Sequence, residues 1–282
     1  MLSIAIPSKT EKFLDNTIRD VLKNATGEIE IFPILDGYDC ERIDDPRVHY
    51  IVLPSDGKMQ KRHGINEMVK RCHGEYVMTL DAHCMVAPGF DEQLIKDHQP
   101  NWVQVPQRRR LDADNWCEQD QGGRPPIDYE YFMWNSFIKD KGLHGYKWDS
   151  RTIERKDIML DDTICIQASM WFMTKKWYQD RGFMNADRYM GWGAECEEIV
   201  FETLKAGGRV ITNKNTWYAH LHKGQKHGRM YHMNRSEQHA SYDNSYNYWV
   251  HENKDFFIKL IDGSPKMPNW PDNWKEQVYG DK

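Results

Sequence analysis

Two short stretches carry the residue types and spacing needed to hold a divalent cation. In residues 76–86, YVMTLDAHCMV, an apolar run ends abruptly in Asp81-Ala82-His83. Carboxylate oxygen and imidazole nitrogen are both good ligands for a divalent metal. A metal placed there could hold a nucleotide diphosphate. Far along the chain, residues 217–224, WYAHLHKG, offer a second imidazole at His220, with His222 two positions on. The plain alternative at Asp81 is a strand-terminating turn with a surface histidine.

Other groups could complete such a site. Gly191-Trp192-Gly193-Ala194 suits a tight turn beside a ligand. Glu195, Glu197 and Glu198 then open a helix, where the dipole favours acids. The dipole accounts for some of these glutamates but does not require Trp192 or the small residues before it. Asp36 could take a ribose hydroxyl or a base N–H, or it could simply form an Asp-Gly turn. Lys58, Lys61 and Arg62 could face a diphosphate or form a solvated helix face. From His222 to Arg235 there are four Lys/Arg and three His without one acid, and Tyr242, Tyr246, Tyr248 and Trp249 follow. Such a segment could close over a phosphorylated donor, grip a nucleic-acid backbone, or stay a solvated loop.

The elements that must position these residues are legible in the apolar pattern. Residues 2–7, LSIAIP, read as a buried strand. Ser8 and Glu11 form a candidate capping box before a helix carrying Leu14, Ile18, Val21 and Leu22. Residues 28–35 and 48–53 read as strands, 60–73 as a helix, and 76–80 as a strand. This strand, helix, strand, strand, helix, strand order predicts an α/β fold with a mainly parallel sheet flanked by helices. Ser8, Asp36 and Asp81 then gather at one edge, where open α/β sheets bind ligands. Further on, 102–105, 163–174 and 209–212 read as strands. The polar stretch 111–161 reads as an excursion, and the proline-rich tail with Trp270 and Trp274 as an irregular strap packed on the surface.

Composition bounds the class. The 282 residues are 39% hydrophobic and 29% charged, with a net charge of -5. That balance gives no global attraction to nucleic acid or membrane, so any such binding needs a local basic patch. The six cysteines form no C-x-x-C pair, which excludes zinc-ribbon and thioredoxin-type readings. They read as free thiols of a reducing compartment. No apolar run reaches the ~18 residues of a membrane helix. With a strand starting at Leu2, no room is left for a signal peptide, and a cytoplasmic address is expected, in a cell or in a virus-infected host.

Together the residues resemble GT-A glycosyltransferases, in particular family-2-type enzymes and the polypeptide N-acetylgalactosaminyltransferase group. Four landmarks carry the likeness in order: IPS at 6–8, LDAH at 80–83, WGAECEE at 192–198 and YAHLHK at 218–223. The resemblance implies a single GT-A domain over 1–235, with 111–161 as an acceptor-side insertion and 236–282 as an aromatic, proline-rich extension. It implies Mn²⁺ (or Mg²⁺) on Asp81, His83 and His220, with His222 a competitor for the third place. Pro7, Ser8, Asp36, Arg62, Asp81, Lys223 and Arg229 would bind a nucleotide-sugar donor, a UDP-sugar by this likeness. Glu195, Glu198 and Trp192 would line the sugar and acceptor site. Cys196 and Ala194 depart from the Asn and Gly of that group.

The resemblance extends to compact phage enzymes that glycosylate hydroxymethylated bases. Double-stranded DNA so modified is therefore a specific acceptor expectation, with Arg108–Arg110 and the basic segment as its grip. Glycan, protein or lipid-linked acceptors are the wider alternative. The alternatives of other classes are a non-catalytic carbohydrate-binding protein and a metal-dependent phosphohydrolase built on Asp81, His83, His220 and His222.

Overall fold

The computed structural model describes residues 1–56, 58–191, 193–224, 226–231 and 235–280. Its first half is built from apolar runs joined by amphipathic helices. β1 (Leu2–Ser8) is buried along nearly its whole length, as a strand covered on both faces must be. α1 (Leu14–Asn24) buries Leu14, Ile18 and Val21. β2 (Ile29–Asp36), β3 (Ile51–Leu53), α2 (Lys61–Arg71) and β4 (Tyr76–Leu80) follow. The four strands are parallel in the order β3-β2-β1-β4. α2 lies so close to the sheet that a Cβ on Gly64 would sit 2.4 Å from Ile34 Cγ2. Only hydrogen fits there.

The chain then adds β5 (Cys84–Val86), α3 (Phe90–Lys96), β6 (Trp102–Asp112) and β7 (Cys117–Glu118). β8 (Glu130–Phe132), α4 (Trp134–Lys139), β9 (Gly145–Lys147) and α5 (Asp149–Glu154) come next, and β8 and β9 form a separate two-stranded sheet among the described residues. β10 (Leu160–Asp162), β11 (Met170–Thr174), α6 (Lys175–Arg181), α7 (Glu195–Lys205) and β12 (Arg209–His220) complete the sheet. α8 (Arg235–Tyr246), a π-helical turn (Asn247–Glu252), α9 (Lys254–Gly263) and α10 (Trp274–Tyr279) end the described chain.

The main sheet path is β10-β12-β6-β11-β4-β1-β2-β3. β11 runs antiparallel to both β4 and β6, while β12 is parallel to β6. Two reversals restore the direction, so β1, β2, β4 and β12 all end on one rim. This is the expected mixed, mainly parallel sheet flanked by helices.

Several local expectations are corrected. Ser8 and Glu11 make no capping box: Ser8 ends β1 and bonds Tyr38, and α1 starts after Phe13 with no side-chain cap. Arg108–Arg110 do not follow a strand but lie inside β6, which runs on to Asp112. Only Met170–Thr174 of the apolar run 163–174 is strand. β12 continues well past Thr212, through a register shift between Asn213 and Trp217.

The 111–161 stretch and the tail share a core. Phe132, Phe137, Phe257, Trp270 and Trp274 are all buried. Trp270 Nε1 donates to the Phe132 carbonyl at 2.7 Å, and the Phe137 ring stacks on Phe257 at 5.8 Å. Trp270 and Trp274 are thus interior residues, not surface strapping.

Candidate active site

The rim where the strands end collects the candidate ligands. β4 delivers Asp81, whose N–H donates to the Ser169 carbonyl at 2.8 Å. A tight turn, with His83 N–H on the Asp81 carbonyl at 2.8 Å, brings His83 beside it. β5 pairs antiparallel with the end of β12, and Leu221 N–H bonds the His83 carbonyl at 3.1 Å. That pairing seats His220 against the D-x-H turn.

One ligand atom from each of Asp81, His83 and His220 lies within 4.8 Å of the others. His83 Nε2 and His220 Nε2 face each other at 3.1 Å, and Asp81 Oδ2 is 3.5 Å from His220 Nε2. Two ring nitrogens aimed at one spot beside a carboxylate oxygen suit a shared cation better than a hydrogen bond. His220 Nδ1 is buried with no hydrogen-bond partner. Burial holds the His220 imidazolium down to about 4, so near neutral pH the ring is the uncharged form that metals bind. The donor set admits several first-row divalent ions. His222, held down to about 3 by burial and by His220, stands edge-on to His220 at 5.3 Å and lies outside the three-residue cluster.

Around the cluster the charges are arranged in pairs. Lys61 Nζ lies 3.5 Å from Asp81 Oδ1 and 3.2 Å from Glu195 Oε2. Burial opposes the Lys61 charge, but Asp81 and Glu195 outweigh it and push the ammonium above its ordinary range. Burial likewise disfavours the Asp81 anion, yet Lys61 and the two imidazoles hold it well below the usual carboxylate range. A cavity of about 550 Å³ opens over these groups, lined also by Glu195, His222, Lys223, Arg229 and Tyr231. Glu195 Oε1 is buried with no hydrogen-bond partner, although Lys61 holds the other oxygen.

A smaller cavity of about 60 Å³ adjoins it along the rim, lined by Pro7, Ser8, Lys9, Asp36, Asp81, His83 and Tyr231 among others. Asp36 accepts from Lys9 Nζ at 3.1 Å, Gln60 N–H at 3.0 Å and Gln60 Nε2 at 3.3 Å. The structure therefore gathers Pro7, Ser8, Asp36, Asp81, His83, Glu195, His220, Lys223 and Arg229 around adjoining cavities.

Glu198 and Arg62 are placed differently. They form a fully buried ion pair behind the site, and Glu198 also accepts from Asn185 N–H at 2.8 Å. Arg62 donates to the Gly193 carbonyl at 2.9 Å and stacks on Tyr189 at 4.5 Å. The pair ties α2 to α7 and to the turn before α7, whose Ala194 takes the left-handed conformation (φ 56°) that glycine adopts without strain. Neither side chain lines the large cavity. Trp192 lies outside the described residues.

Sequence reasoning left Lys61 open and missed Lys9 and Glu11 as site residues. Lys61 has a helix-face alternative in the sequence, yet its side chain is 9% exposed. Lys9 carries no pattern of its own. Glu11 fits a helix-capping motif that the chain does not form.

Residues 3–180 match the model of the family described as glycosyl transferase family 2. The chain belongs to that family. The sheet order and the helices around it are those of a GT-A fold. A solved structure described as GalNAc-T7 with UDP, GalNAc and Mn²⁺ superimposes with a TM-score of 0.70 at 18% identity, covering 99% of this chain. This chain spans 55% of that one. A structure of TarS from S. aureus gives a TM-score of 0.45 at 10% identity, over 79% of this chain and 37% of that one. No curated protein matches the sequence. This family-2 glycosyltransferase thus carries a possible Asp-His-His metal site at its sheet rim. Among the described residues no helix is long and apolar enough to cross a membrane.

Proposed function

We propose that this glycosyltransferase moves a sugar from a UDP-sugar to a hydroxyl acceptor, with Mn²⁺ or Mg²⁺ held by Asp81, His83 and His220. The convergence of these three residues at the mouth of the large cavity carries the reading. The choice of donor and ion is supported by GalNAc-T7, whose structure holds UDP and Mn²⁺. When bound, the cation supplies Lewis-acid assistance to the diphosphate leaving group.

The chain's own residues do the rest. Asp36, at the end of β2, accepts hydrogen bonds at the far side of the small cavity, where a nucleoside would lie beside Pro7 and Ser8. Lys61 fixes Asp81 and Glu195 relative to each other. Lys223 and Arg229 line the cavity and add positive charge where a diphosphate leaves. Glu195 Oε1 is an open acceptor, placed to take a hydroxyl hydrogen bond from the donor sugar or from the attacking acceptor. In an inverting reaction it would take the acceptor proton; in a retaining one it would position the sugar. Trp192 is proposed on sequence alone as the aromatic beside it.

The acceptor is a hydroxyl compound, of which hydroxymethylated double-stranded DNA is one member. Support for DNA is narrower than the sequence suggests. Arg108 is buried against Glu130 at 2.8 Å. Arg109 pairs with Glu118 at 2.9 Å and stacks on Trp217 at 4.6 Å. Lys226 pairs with Asp114. These cations are already matched, which favours a glycan, protein or lipid-linked acceptor. The six cysteines are unpaired thiols, which supports a reducing, cytoplasmic setting.

A donor screen tests the reading. Nucleotide sugars are offered with Mn²⁺, and nucleoside diphosphate release is followed with glycan acceptors and with hydroxymethylated DNA. Release from a UDP-sugar that stops with chelator is expected. Turnover of every donor at the same rate with and without metal would overturn the metal site.

A further inference from the structure

Glu11, in the turn between β1 and α1, touches two parts of the site at once. Oε2 lies 3.5 Å from His83 Nδ1, and Oε1 accepts from Lys223 Nζ. The Glu11 side chain is 8% exposed, so this carboxylate is not a solvated surface acid. On the other side of the same imidazole ring, Nε2 faces His220. His83 Nδ1 is buried and makes no hydrogen bond, and the Glu11 carboxylate stands 3.5 Å from it; closing that small gap would fix the ring's orientation and tautomer, with the Nε2 lone pair where a cation would sit.

Lys223 belongs to the basic segment that follows β12, three residues past His220. That segment is seated on the same turn and on the loop between β6 and β7. His227 packs edge-on against Phe13 at 5.5 Å. His227 Nε2 is 3.6 Å from Asp114 Oδ2, which also pairs with Lys226. Lys223 lies over the Tyr231 ring at 5.7 Å, and Tyr231 forms a wall of both cavities. Glu11 is therefore the link between a candidate metal ligand and the segment that covers the donor cavities.

We propose that Glu11 is a positioning residue that couples the docking of this segment to cation binding at Asp81, His83 and His220. The inference rests on the metal-site reading above. With Lys223 docked, Glu11 is held against His83, and the ring is presented ready for a metal. With a metal on His83, Glu11 is held in place for Lys223. Such a linkage is reciprocal: whatever factor the docked segment adds to cation affinity, the cation adds to docking. The large cavity would then be covered most firmly when metal is in place, and the same carboxylate would report the metal's presence to Tyr231.

The test needs no turnover. The Mn²⁺ dissociation constant is measured by calorimetry on the full chain without donor. Hydrogen exchange of peptides covering Lys223 and Tyr231 is followed with and without Mn²⁺. Glu11→Gln keeps the size and removes the charge. It is expected to weaken Mn²⁺ binding about 10- to 100-fold, the range for outer-shell partners of metal ligands, and to abolish Mn²⁺-dependent protection of those peptides. Lys223→Met leaves Glu11 on His83. It is expected to cost less affinity and to lose the same protection. If Glu11→Gln does not fold by circular dichroism, Lys223→Met carries the test alone, and native Mn²⁺-dependent protection in it overturns the coupling. A native chain that binds no Mn²⁺ overturns the metal site and the coupling together. A native chain that binds Mn²⁺, with a folded Glu11→Gln of equal affinity and protection, overturns the coupling only.

Discussion

His83 Nε2 and His220 Nε2 lie 3.1 Å apart, although 137 residues separate them in the chain. The pairing of β5 with the end of β12 sets this distance, because it stacks His220 against Cys84 in register. A site assembled this way depends on the sheet, not on a local motif. It also has its third member, Asp81, tied to Lys61, so each ligand is fixed by a different element.

Asp81→Asn should show what the carboxylate contributes. The side chain keeps its size but loses its charge, its hold on Lys61 and most of its affinity for a divalent ion. Transfer is expected to fall at least about 100-fold, equivalent to about 3 kcal/mol of transition-state stabilisation. Mn²⁺ affinity should fall with it. Metal-dependent transfer at the native rate in a folded Asp81→Asn protein would remove Asp81 from the site.

The first half of the fold was readable because each element announces itself locally. Residues 76–80 are an unbroken apolar run, and Leu14, Ile18 and Val21 recur at helical spacing. The rim position of Ser8, Asp36 and Asp81 then followed from the parallel order alone. What was not readable depends on contacts between distant segments. Glu11 looks like a capping residue because Ser8 precedes it by three, yet Ser8 is spent on Tyr38 and Glu11 on His83 and Lys223. Arg108 and Arg109 look like part of a cationic patch because their acids, Glu130 and Glu118, come from later strands. Phe132 and Phe137 look like part of a polar excursion because Trp270 and Phe257, which bury them, lie more than a hundred residues on.

Arg62 and Glu198 give a case where structure and resemblance point to different experiments. A residue that contacts sugar should lose activity on substitution while the fold holds. A buried ion pair should lose stability, because removing one partner strands the other charge. Arg62→Met and Glu198→Gln are each expected to destabilise by roughly 3–5 kcal/mol in denaturant titrations. The double substitution to Met and Leu should cost less than the two single losses added. Glu198→Gln with native stability and greatly reduced transfer would place Glu198 at the substrate instead.

Trp270 joins the tail to the 111–161 stretch through a buried hydrogen bond and a ring contact with Trp134 at 5.1 Å. We expect Trp270→Ala to cost about 3–5 kcal/mol, the usual range for truncating a buried aromatic. Trp270→Phe should recover the packing but leave the Phe132 carbonyl without its donor. A cut at residue 235 should leave 1–235 insoluble, since it would uncover Phe132, Phe137 and Phe201 together. Soluble, cooperatively melting 1–235 would show that the domain stands without its extension.

Glu197 supplies the pH dependence with a sign that can be checked. The residue is 2% exposed, and its carboxylate accepts from the Cys196 thiol at 2.9 Å. Burial pushes its carboxyl up to about 7, whereas an unfolded chain releases that proton near about 4.3. Between these values the folded protein keeps a proton that the unfolded chain has lost. The stabilising contribution is therefore complete below the unfolded value and disappears as pH rises through about 7. Above that, the ionised, buried carboxylate costs on the order of 3 kcal/mol. Glu197→Gln cannot ionise and should be more stable than the native chain at pH 8 while matching it at pH 4. Every other titratable group is common to both proteins, so the difference between the two stability curves isolates Glu197. Parallel curves across that interval would mean that Glu197 is ionised in the fold at low cost.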